Sequence, residues 1–517
     1  MYKNYNKSKI SILLILFGIL PYLFLGTGIH GDDISQIKIT QNIDFEYFLN
    51  PDPKIRGISS FFLPGYYFFW WAYPVFGYEH QWPYDLIKYI VHLISLFLIF
   101  RFLSDYIPRN RAFFGSLIFL FYPAHESTAY WYMIIPYVLS PALIMYSHHL
   151  MRLNQKYKSL MIGTIASFIT YSSVPYIFGL SIIFIYERYY KKFIFFILPG
   201  ILYLTYYFII GYLFPVQEQR INDNLTIVGF IKNIIIQIIS SFDSLFGPSF
   251  FIKIYLSITS ISVISLIISF LIIFIFRNIV NSKIKFIPWS LIFGVLSVLL
   301  FSYCMFALTG LYTQSSFNLG NRVTIYGSLI MAVLISLLPF NNKFLLFVSL
   351  IFIFPVLGIS DHWKTWNEKQ KILINNIENN KDLALIEDDN ILLIKGNFYS
   401  KLGPISHIEF LSMPWVAKSI FEKSVKTEKI MPLTSYVITK DGNLIDNKFK
   451  EQFLITYPIY LYDTNTNILK KLNKIELENI MTNRDREIRH WVQIIDNKNI
   501  ISFITYLNPR LEYLFKK

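Results

Sequence analysis

The sequence predicts a polytopic α-helical membrane protein with about eleven spans, followed by an α+β domain outside the membrane. Three observations predict it. The chain of 517 residues is 54% hydrophobic and only 15% charged, with a mean hydropathy of +0.44. Soluble domains carry more charge and shorter apolar runs. Up to about residue 360 the apolar residues fall into runs near the length a bilayer requires, and basic clusters recur between them. Beyond residue 360 charge rises, and short strand-like runs separated by turn signals take over.

The net charge of +14 and pI near 9.3 do not point to nucleic acid. The basic residues are scattered in short clusters between apolar runs, which marks them as topology signals. The one cysteine, Cys304, lies inside an apolar run and reads as a packing residue. No Cys/His pattern with zinc spacing is present.

Lys3, Lys7 and Lys9 precede the first apolar run, 10–29, which lacks a small-residue cleavage site. It reads as a retained anchor with a cytoplasmic N-terminus. Gly31-Asp32-Asp33 follows at once, on the outer side. Two adjacent carboxylates at the exit of a span are costly unless they face water or a partner, so Asp32 and Asp33 are candidate functional residues; the alternative is a pair of ordinary loop acids. Residues 30–60 form the first outer loop, polar and carrying Pro51, Pro53, Lys54 and Arg56. Residues 61–78 are rich in Phe, Tyr and Trp with interspersed Pro and Gly, and predict an interfacial or re-entrant helix.

Spans are then predicted at 84–103, 112–122, 129–150, 160–172, 174–186 and 193–214. A second interfacial helix is predicted at 227–240, and further spans at 251–276, 288–308, 323–339 and 344–358. The basic loops fall consistently on one side. Four outer segments share the other side: the Asp pair, His125-Glu126, Arg220 to Asp223, and Gly320-Asn321-Arg322. The chain is thus expected in the plasma (inner) membrane as a multi-pass protein, 1–360 forming the transmembrane domain and 361–517 an extracytoplasmic domain large enough for its own core. Strands are expected at 383–386, 391–394, 435–438, 453–457, 490–495 and 500–504.

His30-Gly31-Asp32-Asp33, with Asn42 and Asp44 downstream, resembles the start of the first outer loop of GT-C superfamily glycosyltransferases. The likeness is nearest to the transmembrane O-mannosyltransferases that carry TPR repeats and to their bacterial relatives; PMT-type and ArnT-type transferases share that fold. Arg56 sits where those proteins have Arg-Pro, with Gly57 in place of the Pro. Tyr122-Pro123-Ala124-His125-Glu126-Ser127 resembles their Pro-x-His-x-Glu-Ala loop with one residue fewer between His and Glu. The run from Asn321 to Ser328 is similar to their Glu-Arg-Val-Leu-Tyr-x-Pro-Ser segment. The likeness covers 1–360; the C-terminal part shows no TPR pattern.

The resemblance implies a GT-C-like, inverting transfer of a sugar from a polyprenyl-phosphate donor to a surface glycan, lipid or protein acceptor at the outer face. Asp32 or Asp33 would be the general base for the acceptor hydroxyl, Asp32 slightly favoured. Arg322 would neutralise the leaving lipid phosphate, with the alternative of an interfacial Arg reaching water. His125, Glu126 and Arg56 would be substrate-binding residues, and His92 a packing residue. A lipid monophosphate donor requires no metal; a pyrophosphate donor would call for Mg2+ or Mn2+, with Asp33 as an oxygen ligand. Three other classes fit less well. A lipid-linked oligosaccharide transporter or flippase would place charge near the midplane, often in repeated halves. An O-antigen polymerase or ligase would depend on outer-loop Arg and His. A binding module would not need eleven spans as its anchor.

Overall fold

Apolar runs of this length fold as helices because hydrocarbon offers no partner for the backbone, and a helix satisfies its own N–H and C=O groups. The computed structural model describes residues 13–41, 43, 68–213, 225–279, 286–310, 312–439, 443–446, 452–455, 457–483, 487–494, 499, 501–502 and 506. The chain divides into two compact units. A membrane unit comprises Met1–Gly28, Thr40–Ser316 and Gly320–His362. A C-terminal unit comprises Ile29–Ile39, Phe317–Leu319 and Trp363–Lys517.

The first helix, α1 (Ile15–Phe24), carries a π-helical stretch at Ile15–Ile19. After α2 (Asp32–Thr40) come α3 (Trp82–Leu103), α4 (Arg109–Leu120), α5 (Pro136–Arg152), α6 (Lys156–Ser167), α7 (Ser173–Tyr186) and α8 (Tyr190–Leu213). Further along come α9 (Ile227–Phe246), α10 (Pro248–Thr259), α11 (Val263–Ile279), α12 (Trp289–Thr309), α13 (Ile325–Leu337) and α14 (Phe354–Glu378).

Among the described residues, six helical stretches are long and apolar enough to cross a membrane, by length and composition. They are Trp82–Leu103, Tyr190–Leu213, Ile227–Thr259, Trp289–Thr309, Leu319–Leu337 and Asn342–Glu378. Three shorter apolar helices are Ile15–Phe24, Ser173–Tyr186 and Val263–Arg277. The expected eleven full spans are not reached by this measure, because several runs are cut short by Pro, Gly and Ser. Run 129–150, for example, gives single turns at Ser127–Tyr130 and Tyr132–Ile134 before Pro136 opens α5.

Two further expectations are corrected. The predicted interfacial helix 227–240 extends to Phe246, and with α10 makes one apolar stretch across the Gly247-Pro248 junction. The predicted span 251–276 is broken at 260–262, where Ser260 and Ser262 compete for backbone bonds. Asp361 of α14 secures the break. Its carboxylate accepts the Ser262 amide at 2.8 Å and the Ser265 hydroxyl at 2.8 Å, reinforcing the N-cap in which the Ser262 hydroxyl accepts the Ser265 amide at 3.2 Å.

Helices α7 and α12 approach closely. A Cβ on Gly179 would lie 2.4 Å from the Val298 backbone nitrogen, and one on Gly294 would lie 2.4 Å from Ile183. Small residues permit such backbone contact where lipid gives no hydrophobic drive to helix association.

The C-terminal unit is built on strands β1 (Ile391–Lys395), β2 (Tyr399–Leu402), β3 (Ile405–Glu409), β4 (Ile430–Pro432), β5 (Tyr436–Ile438), β6 (Asn443–Asp446), β7 (Gln452–Leu454), β8 (Ile459–Asp463) and β9 (Ile468–Leu472). Its main sheet has the order β4-β1-β8-β9. β1 is parallel to both β4 and β8, and β9 returns antiparallel to β8. The first four residues of β1, Ile391 to Ile394, are all buried, as a strand covered on both faces requires. A β2–β3 hairpin and an antiparallel β5-β6-β7 sheet complete the strands, with α15 (Pro414–Phe421) and α16 (Lys474–Thr482). The segments expected as strands at 383–386 and 490–495 instead hold 3-10 turns, Lys381–Leu385 and Trp491–Ile494. In the first, the Asn380 side chain accepts the Asp382 amide and curls the chain.

Candidate functional site

The Asp pair opens α2, inside the C-terminal unit. Gly31 has φ +54, a left-handed conformation that favours glycine and folds His30 back over the helix start. The His30 amide donates to Asp33 Oδ2 at 2.9 Å, and the Asp33 amide donates to the His30 carbonyl at 3.1 Å. Asp33 is fully buried. Its carboxylate is therefore engaged by the turn, and the helix dipole favours negative charge there. Asp32 is half-buried, and its Oδ1 accepts the Trp415 indole N–H at 2.6 Å. Trp415 is the second residue of α15, so the C-terminal unit itself orients this carboxylate. His30 meets Trp363 edge-on, ring centroids 4.6 Å apart, and Trp363 in turn meets His407 at 6.4 Å.

The membrane unit brings together two other motifs, Ala124 to Ser127 and Asn321 to Thr324. Asn321 donates its amide to Glu126 Oε1 at 2.8 Å, and its carbonyl oxygen accepts from the Ser127 amide at 3.2 Å and from the Ser127 hydroxyl. Thr324 donates to the Ala124 carbonyl at 2.8 Å. Glu126 Oε2 pairs with Lys253 of α10, whose ammonium also donates to the Ser316 carbonyl. Lys253 and Asn321 are fully buried and Glu126 nearly so. A buried ion pair holds only when its remaining donors and acceptors are met, and here backbone and amide partners meet them.

This network fixes the 3-10 turn Leu319–Thr324, which carries Arg322. The Arg322 guanidinium lies over the rings of Trp131, at 5.5 Å, and Tyr312, at 5.3 Å. Tyr312 also lines an aromatic cavity of about 150 Å3 with Tyr171, Tyr203, Tyr207 and Phe306. A half-buried cation therefore sits beside an apolar hollow.

His125 is placed differently from the expectation of a ligand contact. It is fully buried, with Nδ1 2.8 Å from the Thr128 hydroxyl and Nε2 2.8 Å from the Phe119 carbonyl. Burial pushes its imidazole down to about 4, so the ring is neutral at pH 7 and buttresses the Glu126 turn. His92 packs against Phe24 at 4.7 Å, its Nδ1 2.8 Å from the Lys88 carbonyl. Arg56 lies outside the described residues.

Sequence reasoning missed three sets of residues. Trp415 supports Asp32 across more than 380 positions. Lys253 partners Glu126. Asp85 and Lys88 clamp the turn just before the Asp pair. Asp85 accepts the Gly26 and Gly28 amides at 2.8 and 2.9 Å, and Lys88 donates to the Gly28 and Tyr130 carbonyls at 2.7 and 3.1 Å. A lysine inside an apolar run was the available signal for the last two sets.

Among the described residues, no group of three or more His, Cys, Asp or Glu side chains is disposed to hold a metal ion. Asp33, the candidate ligand, is engaged by its own turn. Comparison with protein-family models, with curated proteins and with solved structures returns no match.

Proposed function

We infer that the protein is an inverting, GT-C-like glycosyltransferase with about eleven spans, acting at the outer face of the plasma membrane. It takes a sugar from a polyprenyl-phosphate donor to a glycan, lipid or protein acceptor. The observation that carries this reading is the division of labour within the Asp pair. Asp33 is engaged by the fold, whereas Asp32 is oriented by an indole N–H and keeps part of its surface open. In the proposed step the Asp32 carboxylate takes the proton of the acceptor hydroxyl. The acceptor oxygen bonds to the anomeric carbon, the anomeric carbon–oxygen bond to phosphate breaks, and the lipid phosphate leaves with the electron pair. The charge on the leaving group calls for a cation, and Arg322 beside its aromatic cavity suits a phosphate on an isoprenoid chain. Glu126 acts through Asn321 as a positioning residue for the Arg322 turn.

The test is reconstitution in proteoliposomes with polyprenyl-phosphate sugars, following release of lipid phosphate. Asp32→Asn should lower turnover by about 10²–10⁴-fold, the usual contribution of a general base. Asp33→Asn should act chiefly through stability. Equal turnover of wild type and Asp32→Asn would remove the base assignment. The buried Glu126–Lys253 and Asp85–Lys88 pairs favour a transporter of lipid-linked saccharide. The same vesicles separate the two readings, since transport moves the lipid-linked sugar across the bilayer without releasing phosphate.

A further inference from the structure

A cavity of about 380 Å3 opens in the C-terminal unit where its parallel strands end. This volume is within the range of small-molecule sites, roughly 300–1,000 Å3. β4, β1 and β8 lie side by side and run in the same direction. The residues just past their carboxyl ends, Thr434, Gly396 and Asn465, all line the cavity. The chain leaves β1 for β4 on one flank and later places β8 on the other. In open parallel sheets, ligands bind beyond the carboxyl ends of the strands at such a reversal.

The loop after β1 is shaped to form this hollow. Gly396 has φ +85, and a Cβ there would lie 2.4 Å from Asn465 Nδ2. Asn397 is also left-handed, at φ 48, and donates its amide to the Thr464 hydroxyl at 3.0 Å and to Asn465 Oδ1 at 2.9 Å. Asn465 is thereby fixed in place, and Phe398 supplies an apolar surface. Across the cavity, α16 presents Asn479 in its last turn and Asn483 at its C-cap. Glu487 adds a carboxylate held by Lys401 and Ser406.

The chemistry of this lining selects among ligand classes. Three primary amides and a hydroxyl each offer both donor and acceptor, which matches the hydroxyls of a polyol. Charge is balanced: Lys395 lies 3.6 Å from Asp463, and Lys401 pairs with Glu487. β1 leads into a hairpin, so no helix N-terminus awaits a phosphate as in nucleotide-binding crevices. The helix end that does border the cavity is a C-terminus, whose dipole disfavours anions. The geometry points to a cleft in the C-terminal unit that binds a neutral saccharide, its hydroxyls on Asn465, Asn479 and Asn483 and one sugar face against Phe398. This assignment is independent of the transferase reading, because it is tested by binding and not by turnover.

Saturation-transfer NMR on the full chain in detergent, with maltotriose, mannotriose and chitotriose as probes, provides the test. At least one trisaccharide should give saturable transfer. The double variant Asn479→Ala/Asn483→Ala should weaken it by about tenfold or more, as loss of two ligand hydrogen bonds implies. Both positions are exposed, so thermal melting should not change. Asn465→Ala, on the opposite wall, should weaken binding independently. The assignment is overturned if none of the three probes binds, if binding survives unchanged in both variants, or if inorganic phosphate displaces the saccharide.

Discussion

Lys253 and Glu126 pair opposite charges at a buried site, so the two should be energetically coupled. Lys253→Met strands a carboxylate that is 5% exposed, and Glu126→Gln strands an ammonium that is 0% exposed. Each single change should cost about 3–5 kcal/mol, whereas the double variant should cost clearly less than their sum. Thermal unfolding in detergent, run as a double-mutant cycle, measures the difference; additive losses would mean that the pair is not coupled. Glu126, Asn321 and Arg322 were visible in the sequence as two short motifs. Their partner gave only the signal of a lysine within an apolar run, and because Lys253 falls near the start of a predicted span it reads there as a side chain reaching for water. Hydropathy gives the length of a helix but not its rotation. Whether Lys253 faces lipid, water or Glu126 depends on the packing of α10, which no local pattern encodes.

Among the helices, contact between α7 and α12 depends on atoms that are missing. Gly179→Ala would place a methyl 2.4 Å from a backbone nitrogen that has no side chain to move aside. The helices must separate, at a cost of about 1–3 kcal/mol. Gly211→Ala is the control, since nothing lies within 4 Å of its Cβ position. A fall in melting temperature for the first variant and none for the second is the expected outcome. Helix positions were largely legible from apolar runs, and α3, α8 and α12 fall close to their predicted ranges. Breaks were harder to read. The interruption at 260–262 is held by Asp361, 99 residues later, as well as by its own serine cap, and the short turns before α5 depend on proline placement and tight burial. A window average over apolar residues smooths such features away.

For the whole molecule, the least legible fact is that Ile29–Ile39, which follows the first apolar helix in sequence, belongs with residues beyond 363. Local periodicity cannot show it, since the ties are Trp415 to Asp32 and His30 to Trp363. It follows that α2 should keep its structure only when the C-terminal unit is present. Ser35, in α2, is 2% exposed, and Ser140, in the membrane unit, is fully buried. In a Cys304→Ala background, cysteine placed at either position should resist a maleimide reagent in the full chain. A chain ending at residue 378 lacks Trp415 and His407. There, Ser35→Cys should react quickly while Ser140→Cys stays protected, and lipid-phosphate release should be lost. Protection of both cysteines in the shortened chain would show that α2 is held by other contacts. Reaction of both would show that the membrane unit itself needs the C-terminal unit to fold. Only the selective result leaves Asp32 as a residue whose presentation depends on the C-terminal unit.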